Sequence, residues 1–425
     1  MNAEVPRRGG ELVAGARAPG PGSGWLGRRL APLLAVPMRR LVARIEARLE
    51  RGSIAGIFPD GSSYRIAGPA PGFDALVFFR DWRALLRLAT AGSVGWYRGW
   101  EAHEWESPDP VMLFALVMDN AAALGGTMRA HGPWRLAARA ARGLRRNTRG
   151  GALRNIHAHY DLGNDFYQGW LDATMSYSSA RFDRQAPPFD LEAGQRRKLE
   201  AMVERVLPAA APPGAKILEI GCGWGALAAR LAERGAAVTA ISISDEQLAF
   251  ARAHHPGIVW EKRDYRDVAE VFDAIVSVEM VEAVGRAWWP AFFDCITRSL
   301  RPGGRAAIQY IAIDEAIFER YAASADFIQT YVFPGGMLVS EPAFRRLAAE
   351  RGLEWRDEAR FGQDYAETLR LWRERFEAMI DEGRLPPGFD ERFVRLWRYY
   401  LMYCEGGFRG GGIDVVQVTL VKAQG

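Results

Sequence analysis

The sequence has few cysteines, and this scarcity limits the chemistry open to the chain. Only three occur among 425 residues, Cys222, Cys295 and Cys404, and their spacing forms neither a pair nor a cluster. Disulfide frameworks and zinc sites both need grouped cysteines. The sequence therefore predicts no disulfide-stapled fold and no metal site, and a reducing compartment is the simplest setting.

Long apolar runs are absent as well. No stretch of eighteen apolar residues occurs, which is about the length that a membrane-spanning helix needs. Residues 1–24 are rich in Gly, Ala, Pro and Arg, and we expect them to be disordered. The apolar piece at residues 30–41 contains Pro32 and Pro37 and is followed by no small-residue cleavage pattern, so a secretory signal is not expected. These features predict a cytoplasmic protein.

Lysine is also scarce. It occurs only at positions 198, 216, 262 and 422, so arginine supplies almost all of the 55 basic side chains, at a formal net charge of +4. Base composition of the source genome could explain this usage. The planar guanidinium also suits phosphate, so an anionic surface remains open as a partner. We expect no nucleic-acid partner.

Residues 25–150 are predicted to form a small α+β domain that associates with lipid. Residues 25–51 place apolar and arginine positions at helical spacing, which fits either a helix on an anionic bilayer or a helix packed on the core with a solvated face. Short strand-like pieces follow at 56–66 and 75–79. An arginine-rich linker at 133–154 marks the domain boundary near residue 150, and its charge either faces phosphate or is only solvated.

The remainder, residues 151–425, is organised around a strand, a glycine turn and a helix. Residues 216–220 form a short apolar run, and Gly221, Gly223 and Gly225 follow at once. Glycines let the backbone turn sharply and approach a ligand, and the helix N-terminus that follows offers free N–H groups. Further strands are predicted at 237–243, before Asp264, at 272–278 and at 305–311. Together with Glu219 before the glycines, this pattern predicts an α/β fold: a Rossmann-like class I S-adenosylmethionine-dependent methyltransferase domain with a seven-stranded, mostly parallel sheet and helices on both faces.

Several motifs narrow this prediction. The segment at 155–182 contains HYDLGNDFY, LDATM and YSS, and further motifs follow at 219–225, 277–285, 331–336 and 403–409. In this order they resemble the cyclopropane-fatty-acyl-phospholipid synthases and the mycolic acid cyclopropane synthases, over about residues 80–425.

The resemblance implies a set of residues that bind S-adenosylmethionine. Tyr177 and Ser178 would close over the cofactor, the three glycines would cradle its methionine part, and an aromatic face at Tyr177 or Trp224 would favour the sulfonium cation. Ser242, Ile243 and Gln247 would meet the ribose, and Asp264, Tyr265 and Arg266 would border the adenine. Glu219 completes the predicted cofactor site. For Ser242 and Ile243, ordinary packing explains the residues nearly as well.

The resemblance also implies the chemistry. Such enzymes transfer a methyl group to a cis alkene of a phospholipid acyl chain, and a bound bicarbonate then removes a proton so that a cyclopropane ring closes. Of the four side chains that hold this anion in the family, Glu282 and Tyr365 match, whereas Ser179 and Gln309 stand in place of a cysteine and a histidine. Ser and Gln can still donate hydrogen bonds to an anion. Either the anion is bound differently here, or Glu282 itself is the base.

This departure leaves alternatives open. A carbocation that shifts a hydride before it loses a proton gives a methyl- or methylene-branched chain, so a branching methyltransferase is the alternative to the cyclopropane synthase. A non-catalytic lipid-binding relative is a further alternative. The segments at 315–327 and 365–380 are predicted to be helical insertions that wall the acyl tunnel or belong to the ordinary core. The expected partner is unsaturated phospholipid at the inner face of the membrane, where the protein would associate peripherally, and the family resemblance implies a homodimer.

Overall fold

The structure of the protein, a computed structural model, describes residues 8–10, 12, 31–125, 162–207, 213–324 and 326–424. Most of the predicted disordered start, the whole arginine-rich linker at 133–154 and the first part of the motif at 155–182 lie outside these residues. The chain divides into two compact units. Unit 1 comprises Met1–Arg146, Asp314–Pro334 and Gly388–Ile413, and unit 2 comprises Asn147–Ile313, Gly335–Pro387 and Asp414–Gly425.

Unit 1 contains a four-stranded sheet with the strand order β2-β1-β3-β4. β1 pairs with β2 in antiparallel and with β3 in parallel orientation, and β4 adds to β3 antiparallel. The strands are β1 (Arg51–Ile57), β2 (Ser63–Ala67), β3 (Ala70–Phe79) and β4 (Trp105–Glu106). The helices of the N-terminal part are α1 (Ala35–Glu46), α2 (Arg83–Glu101), α3 (Pro110–Asp119) and α4 (Ala121–Leu124). This arrangement confirms the predicted α+β character of the N-terminal part.

Two segments from the second half of the chain also belong to unit 1. They contribute α10 (Glu315–Ala323), a π-helical turn (Ile328–Val332) and α13 (Glu391–Arg409), whose Asp390 caps the first turn by accepting from the Phe393 amide. Tyr97, Phe327 and Tyr399 pack ring against ring here, with centroids 4.6 to 5.1 Å apart. A single boundary near residue 150 therefore does not describe how these segments group, because long-range packing joins them to the N-terminal part.

Unit 2 contains a seven-stranded sheet with the order β10-β11-β9-β8-β5-β6-β7. The pairs β5/β6, β5/β8, β6/β7 and β8/β9 are parallel, and β10/β11 is antiparallel. The strands are β5 (Lys216–Ile220), β6 (Ala237–Ser242), β7 (Val259–Lys262), β8 (Phe272–Val278), β9 (Leu300–Ile313), β10 (Leu353–Arg360) and β11 (Ile413–Lys422). The predicted mostly parallel, seven-stranded sheet is confirmed, and the topology reverses direction beside β5, where α/β folds bind ligands.

The helices of unit 2 are α5 (Asn164–Gln168), α6 (Leu191–Val206), α7 (Ala226–Glu233), α8 (Asp245–His254), α9 (Trp289–Ser299), α11 (Glu341–Ala349) and α12 (Gly362–Asp381). Side-chain caps precede several of these helices. Asp190 accepts from the Ala193 amide at the start of α6, and Ser244 accepts from the Gln247 amide at the start of α8. One core packs α6 and α7 on the sheet through Met202, Leu231 and Ile217. In the described ranges, no helix combines the length and the hydropathy that crossing a membrane requires.

Candidate functional site

The glycine turn after β5 has the geometry of a ligand cradle. Gly221 and Gly223 adopt φ values of +81° and +52°, a region that side chains with a Cβ adopt rarely. A Cβ at Gly221 would lie 2.6 Å from Met280 Cγ, whereas a Cβ at Gly223 would meet no atom of the described residues within 4 Å. The amides of Gly221 and Cys222 both donate to Ile241 O, at 3.0 and 3.1 Å, and so tie the turn to the end of β6. Gly223 therefore faces open space beside a rigid turn, and Gly225, the third predicted glycine, is the residue before α7.

One carboxylate oxygen of Glu219 on β5 lacks a donor among the described residues. Glu219 is 3% exposed, and no described residue donates a hydrogen bond to its Oε2. Burial raises the pKa of Glu219 to about 8, and the charge of Lys198 opposes the rise. A buried acceptor without a partner costs free energy. A ligand that brings an N–H or O–H donor to this oxygen would relieve that cost.

The predicted lid residues Tyr177 and Ser178 lie in an aromatic environment. The Tyr177 ring contacts Tyr167, Trp170 and Trp372, at centroid distances of 5.6, 5.5 and 5.3 Å. Trp224 lies 5.0 Å from Tyr167 and donates through Nε1 to Asn164. Aromatic faces of this kind attract a sulfonium cation.

The predicted ribose and adenine residues lie at the end of β6 and after β6 and β7. Ser242 Oγ donates to Gln247 Oε1 at 3.2 Å, and Ile243 between them is half-buried. Asp264 accepts from the Arg266 side chain at 2.8 Å and from the Arg266 amide at 3.0 Å. Tyr265 is 8% exposed, and burial raises the pKa of its hydroxyl. These residues stand at the carboxyl ends of parallel strands, at the same edge of the sheet as the glycine turn.

Three of the four predicted catalytic residues converge on one carboxylate, which is that of Glu279. Glu279 Oε1 accepts from the Ser179 amide at 3.0 Å and from Gln309 Nε2 at 2.7 Å. Glu279 Oε2 accepts from the Tyr365 hydroxyl at 2.9 Å. Burial raises the pKa of Glu279, while these donors and the charge of Lys198 lower it. The Glu279 carboxylate is thus held by three donors, Ser179, Gln309 and Tyr365, which we call the donor trio.

The fourth predicted residue, Glu282, is placed differently. Its Oε1 accepts from the Ile311 amide at 2.5 Å, and its Oε2 has no partner in the part of the chain that the structure describes. Burial, and next the charge of Glu279, raise the pKa of Glu282 to about 8. Glu282 is therefore a neighbour of the donor trio rather than its centre.

Sequence reasoning missed Glu279, although one signal could have found it. Glu279 is the first residue after β8, and parallel sheets place their sites at the carboxyl ends of the strands. Its φ of +48° is unusual for a residue with a side chain, and its amide donates to Gln309 O at 2.8 Å. Strained backbone of this kind is concentrated at functional sites.

A family model supplies the comparison that decides the identity. The model "Mycolic acid cyclopropane synthetase" matches residues 147–418, which is more than half of the chain. The chain belongs to this family. Tuberculostearic acid methyltransferase UfaA1 of Mycobacterium tuberculosis is 36% identical over 91% of this chain and 90% of its own length. Cyclopropane-fatty-acyl-phospholipid synthase of Escherichia coli strain K12 is also 36% identical, over 62% of this chain and 66% of its own length.

Solved structures of the family agree with the fold. Cyclopropane synthase MmaA2 from Mycobacterium tuberculosis aligns with a TM-score of 0.58 at 27% identity, over 64% of this chain and 98% of its own. Mycolic acid cyclopropane synthase CmaA1, complexed with SAH and CTAB, aligns equally well at 29% identity and with the same coverage of both chains. This member of the mycolic acid cyclopropane synthetase family is thus a class I S-adenosylmethionine-dependent methyltransferase.

The residues present suit S-adenosylmethionine. Gly223 leaves room for close approach, Glu219 Oε2 has no donor among the described residues, and the predicted lid residue Tyr177 packs against an aromatic ring. When bound, the cofactor supplies an electrophilic methyl group. The chain's residues would hold it and shield it from water.

Proposed function

We propose that this enzyme transfers a methyl group from S-adenosylmethionine to the cis double bond of an unsaturated acyl chain of membrane phospholipid, and that Glu279 accepts the proton released afterwards. The observation that supports the proposal is the Glu279 carboxylate, which Ser179, Gln309 and Tyr365 already hold by hydrogen bonds. The relatives named above act on fatty acids or acyl phospholipids according to their names.

The chemistry explains why a base is needed. An alkene is a weak nucleophile, so the enzyme must hold it against the methyl group in a dry site. The alkene π electrons form the new C–C bond, the S–C bond breaks, and a carbocation remains on the acyl chain. Loss of a proton from the transferred methyl group then gives a neutral product. A carboxylate near that carbon accepts the proton, and the chain needs no redox partner for either neutral product.

The position of Glu279 also bears on whether this enzyme binds the bicarbonate that the family resemblance implied. A carboxylate and a bicarbonate present the same planar pair of oxygens to donors. Here the Ser179 amide, Gln309 and Tyr365 already bind the carboxylate that the chain itself provides. We therefore propose that this enzyme uses Glu279 in place of a bound bicarbonate, so that Ser179 and Gln309 orient the base rather than bind a free anion.

The product that we favour is the methylene-branched chain, with the cyclopropane as the second candidate. The match to the tuberculostearic acid methyltransferase extends over 91% of the chain, whereas the match to the cyclopropane synthase of Escherichia coli covers 62%. The two products differ in one step, because the branched product requires a hydride shift before Glu279 takes the proton. Both products gain one carbon and two hydrogens, so mass alone does not separate them.

The test is an incubation of the purified protein with methyl-labelled S-adenosylmethionine and vesicles of dioleoyl phospholipid. We expect labelled acyl chains whose proton NMR spectrum shows a vinylidene group, and equal turnover in carbonate-free buffer and with added bicarbonate, because Glu279 is part of the chain. A cyclopropane signal assigns the second product. No transfer of label to lipid contradicts the proposed function, and turnover that requires bicarbonate contradicts the role of Glu279.

A stripe that begins in the 3-10 turn at Ala31–Leu34 and continues along α1 supports contact with a membrane surface. Leu33 and Val36 are 73% and 58% exposed, and Arg40 and Arg44 lie exposed at the following helical positions. Met38, Leu41, Val42 and Ile45 bury the opposite face. No acid within the described residues pairs with Arg40 or Arg44. Exposed apolar residues beside free guanidinium groups suit the interface of an anionic bilayer.

We predict that R40E/R44E weakens binding to vesicles that contain anionic phospholipid. Each basic residue near such a surface contributes about 1 kcal/mol and a reversal removes more, so we expect at least about a 30-fold loss in sedimentation assays. The matched control is R196E/R384E, which changes the net charge equally at exposed positions of unit 2. Equal losses in both double variants would show that net charge alone, rather than the stripe, governs binding.

A further inference from the structure

Helix α6 holds the cofactor lid through two buried polar side chains. Gln195 and Lys198, one helical turn apart, are 0% and 1% exposed. Lys198 Nζ donates to Ser178 Oγ at 2.7 Å, and Gln195 Nε2 donates to Ser178 O at 2.8 Å. The same residue of the lid is therefore held by its side chain and by its backbone.

The hydrogen bonds that hold Ser178 also affect the proposed base, because the next residue in the chain binds Glu279. Ser179 follows Ser178, and the Ser179 amide is the donor to Glu279 Oε1. Ala180 is held in turn by Thr368 Oγ1, which accepts from its amide at 3.1 Å. A shift of Ser178 would thus move a donor away from Glu279.

The charge of Lys198 acts on the same group. Three acids face it: Asp172 before α6, Glu219 on β5 and Glu279 after β8. Burial lowers the pKa of Lys198 to about 8, and these acids oppose the fall, so the amine is largely protonated at neutral pH. In return, its charge lowers the pKa of each of the three acids. A buried ammonium is costly and persists where it has partners of opposite charge.

We propose that Lys198 is a positioning residue of the methyl-transfer site, which fixes Ser178 against the cofactor and keeps Glu279 ionised and aligned with the Ser179 amide. The proposal rests on the proposed function in that Glu279 is the base. Gln195 also holds Ser178 but carries no charge. Variants of the two residues therefore distinguish the effect of alignment from the effect of charge.

The test compares K198M, K198R and Q195A with the exposed-site control K262M, whose lysine pairs with Asp245 on the surface. Amide hydrogen exchange in residues 176–180 reports on alignment without any need for turnover. We expect exchange there to be about 10-fold faster in K198M and Q195A and unchanged in K262M. Thermal melting identifies any variant that fails to fold, and Q195A then still tests the grip on the lid.

The pH profile of kcat reports on the charge. Loss of the Lys198 charge raises the pKa of Glu279, so its carboxylate form appears only at higher pH, and the acid limb of K198M should shift upward by about one pH unit. K198R should keep the wild-type limb, and so should Q195A. If amide exchange in residues 176–180 and the acid limb of the pH profile of kcat are both the same in K198M as in wild type, the proposal is wrong. If wild type transfers no methyl group to lipid, the proposed function fails, while the exchange data still decide whether Lys198 holds the lid.

Discussion

Replacement of Glu279 by glutamine is expected to lower kcat by about 1000-fold and to leave the affinity for S-adenosylmethionine nearly unchanged. Glutamine keeps the size of the side chain but cannot accept the proton, and a positioned base contributes roughly 100- to 10,000-fold. In wild type, kcat should rise with pH as Glu279 ionises. Because burial raises the pKa of Glu279, that rise should lie above the ordinary glutamate range. Single-turnover transfer of labelled methyl groups to vesicle lipid measures both effects.

The matched control is E282Q, three residues away in the same segment. Glu282 accepts from the Ile311 amide and lies outside the donor trio, so we expect kcat to fall by no more than about threefold. Glu282 was one of two alternatives that the sequence analysis left open for the base, beside a bound bicarbonate. If E282Q loses most of its activity while E279Q keeps most of it, Glu282 is the base and the assignment of Glu279 from geometry is wrong.

The second large effect is expected at Gly223. In G223A a methyl group would enter the open space beside the turn, and we expect the affinity for S-adenosylmethionine to fall about 100-fold, or about 2.7 kcal/mol. The positive φ of +52° should also lower the free energy of unfolding by about 1 kcal/mol. Isothermal titration with the cofactor and urea denaturation measure the two quantities separately.

Gly235 is the control for backbone strain. It has a φ of +84°, and a Cβ there would also meet no atom within 4 Å, but it lies at the far end of α7, away from the turn. G235A should lose similar stability and keep the wild-type affinity for the cofactor. Equal affinities in G223A and G235A would show that Gly223 does not face the ligand.

The sequence predicted much of unit 2 because its signals are local. An apolar run, three glycines and a following helix are adjacent in the chain, and the strand predicted at 272–278 has the bounds of β8, Phe272–Val278. The predicted helix at 365–380 lies within α12, Gly362–Asp381. Periodicity and glycine placement depend on near neighbours, so they can be read without knowledge of the fold.

The choice between Glu279 and Glu282 was not local. Both acids lie in one short segment, and motif resemblance drew attention to the second. Which carboxylate meets Ser179, Gln309 and Tyr365 depends on the left-handed backbone at Glu279 and on the side chain that the neighbouring strand β9 presents. The grouping of residues 314–334 and 388–413 with unit 1 is likewise a matter of long-range packing.

The sequence by itself determined the family, the parallel sheet and the glycine turn that can cradle the cofactor, because each is encoded in contiguous motifs. Only the tertiary structure decided which carboxylate the three donors hold, and that Lys198 is buried beside it. Ser179 and Glu279 are 100 positions apart in the chain, and Tyr365 lies 86 positions beyond Glu279. Hydrogen bonds over such separations form only after the strands and helices have packed, and no local pattern specifies them.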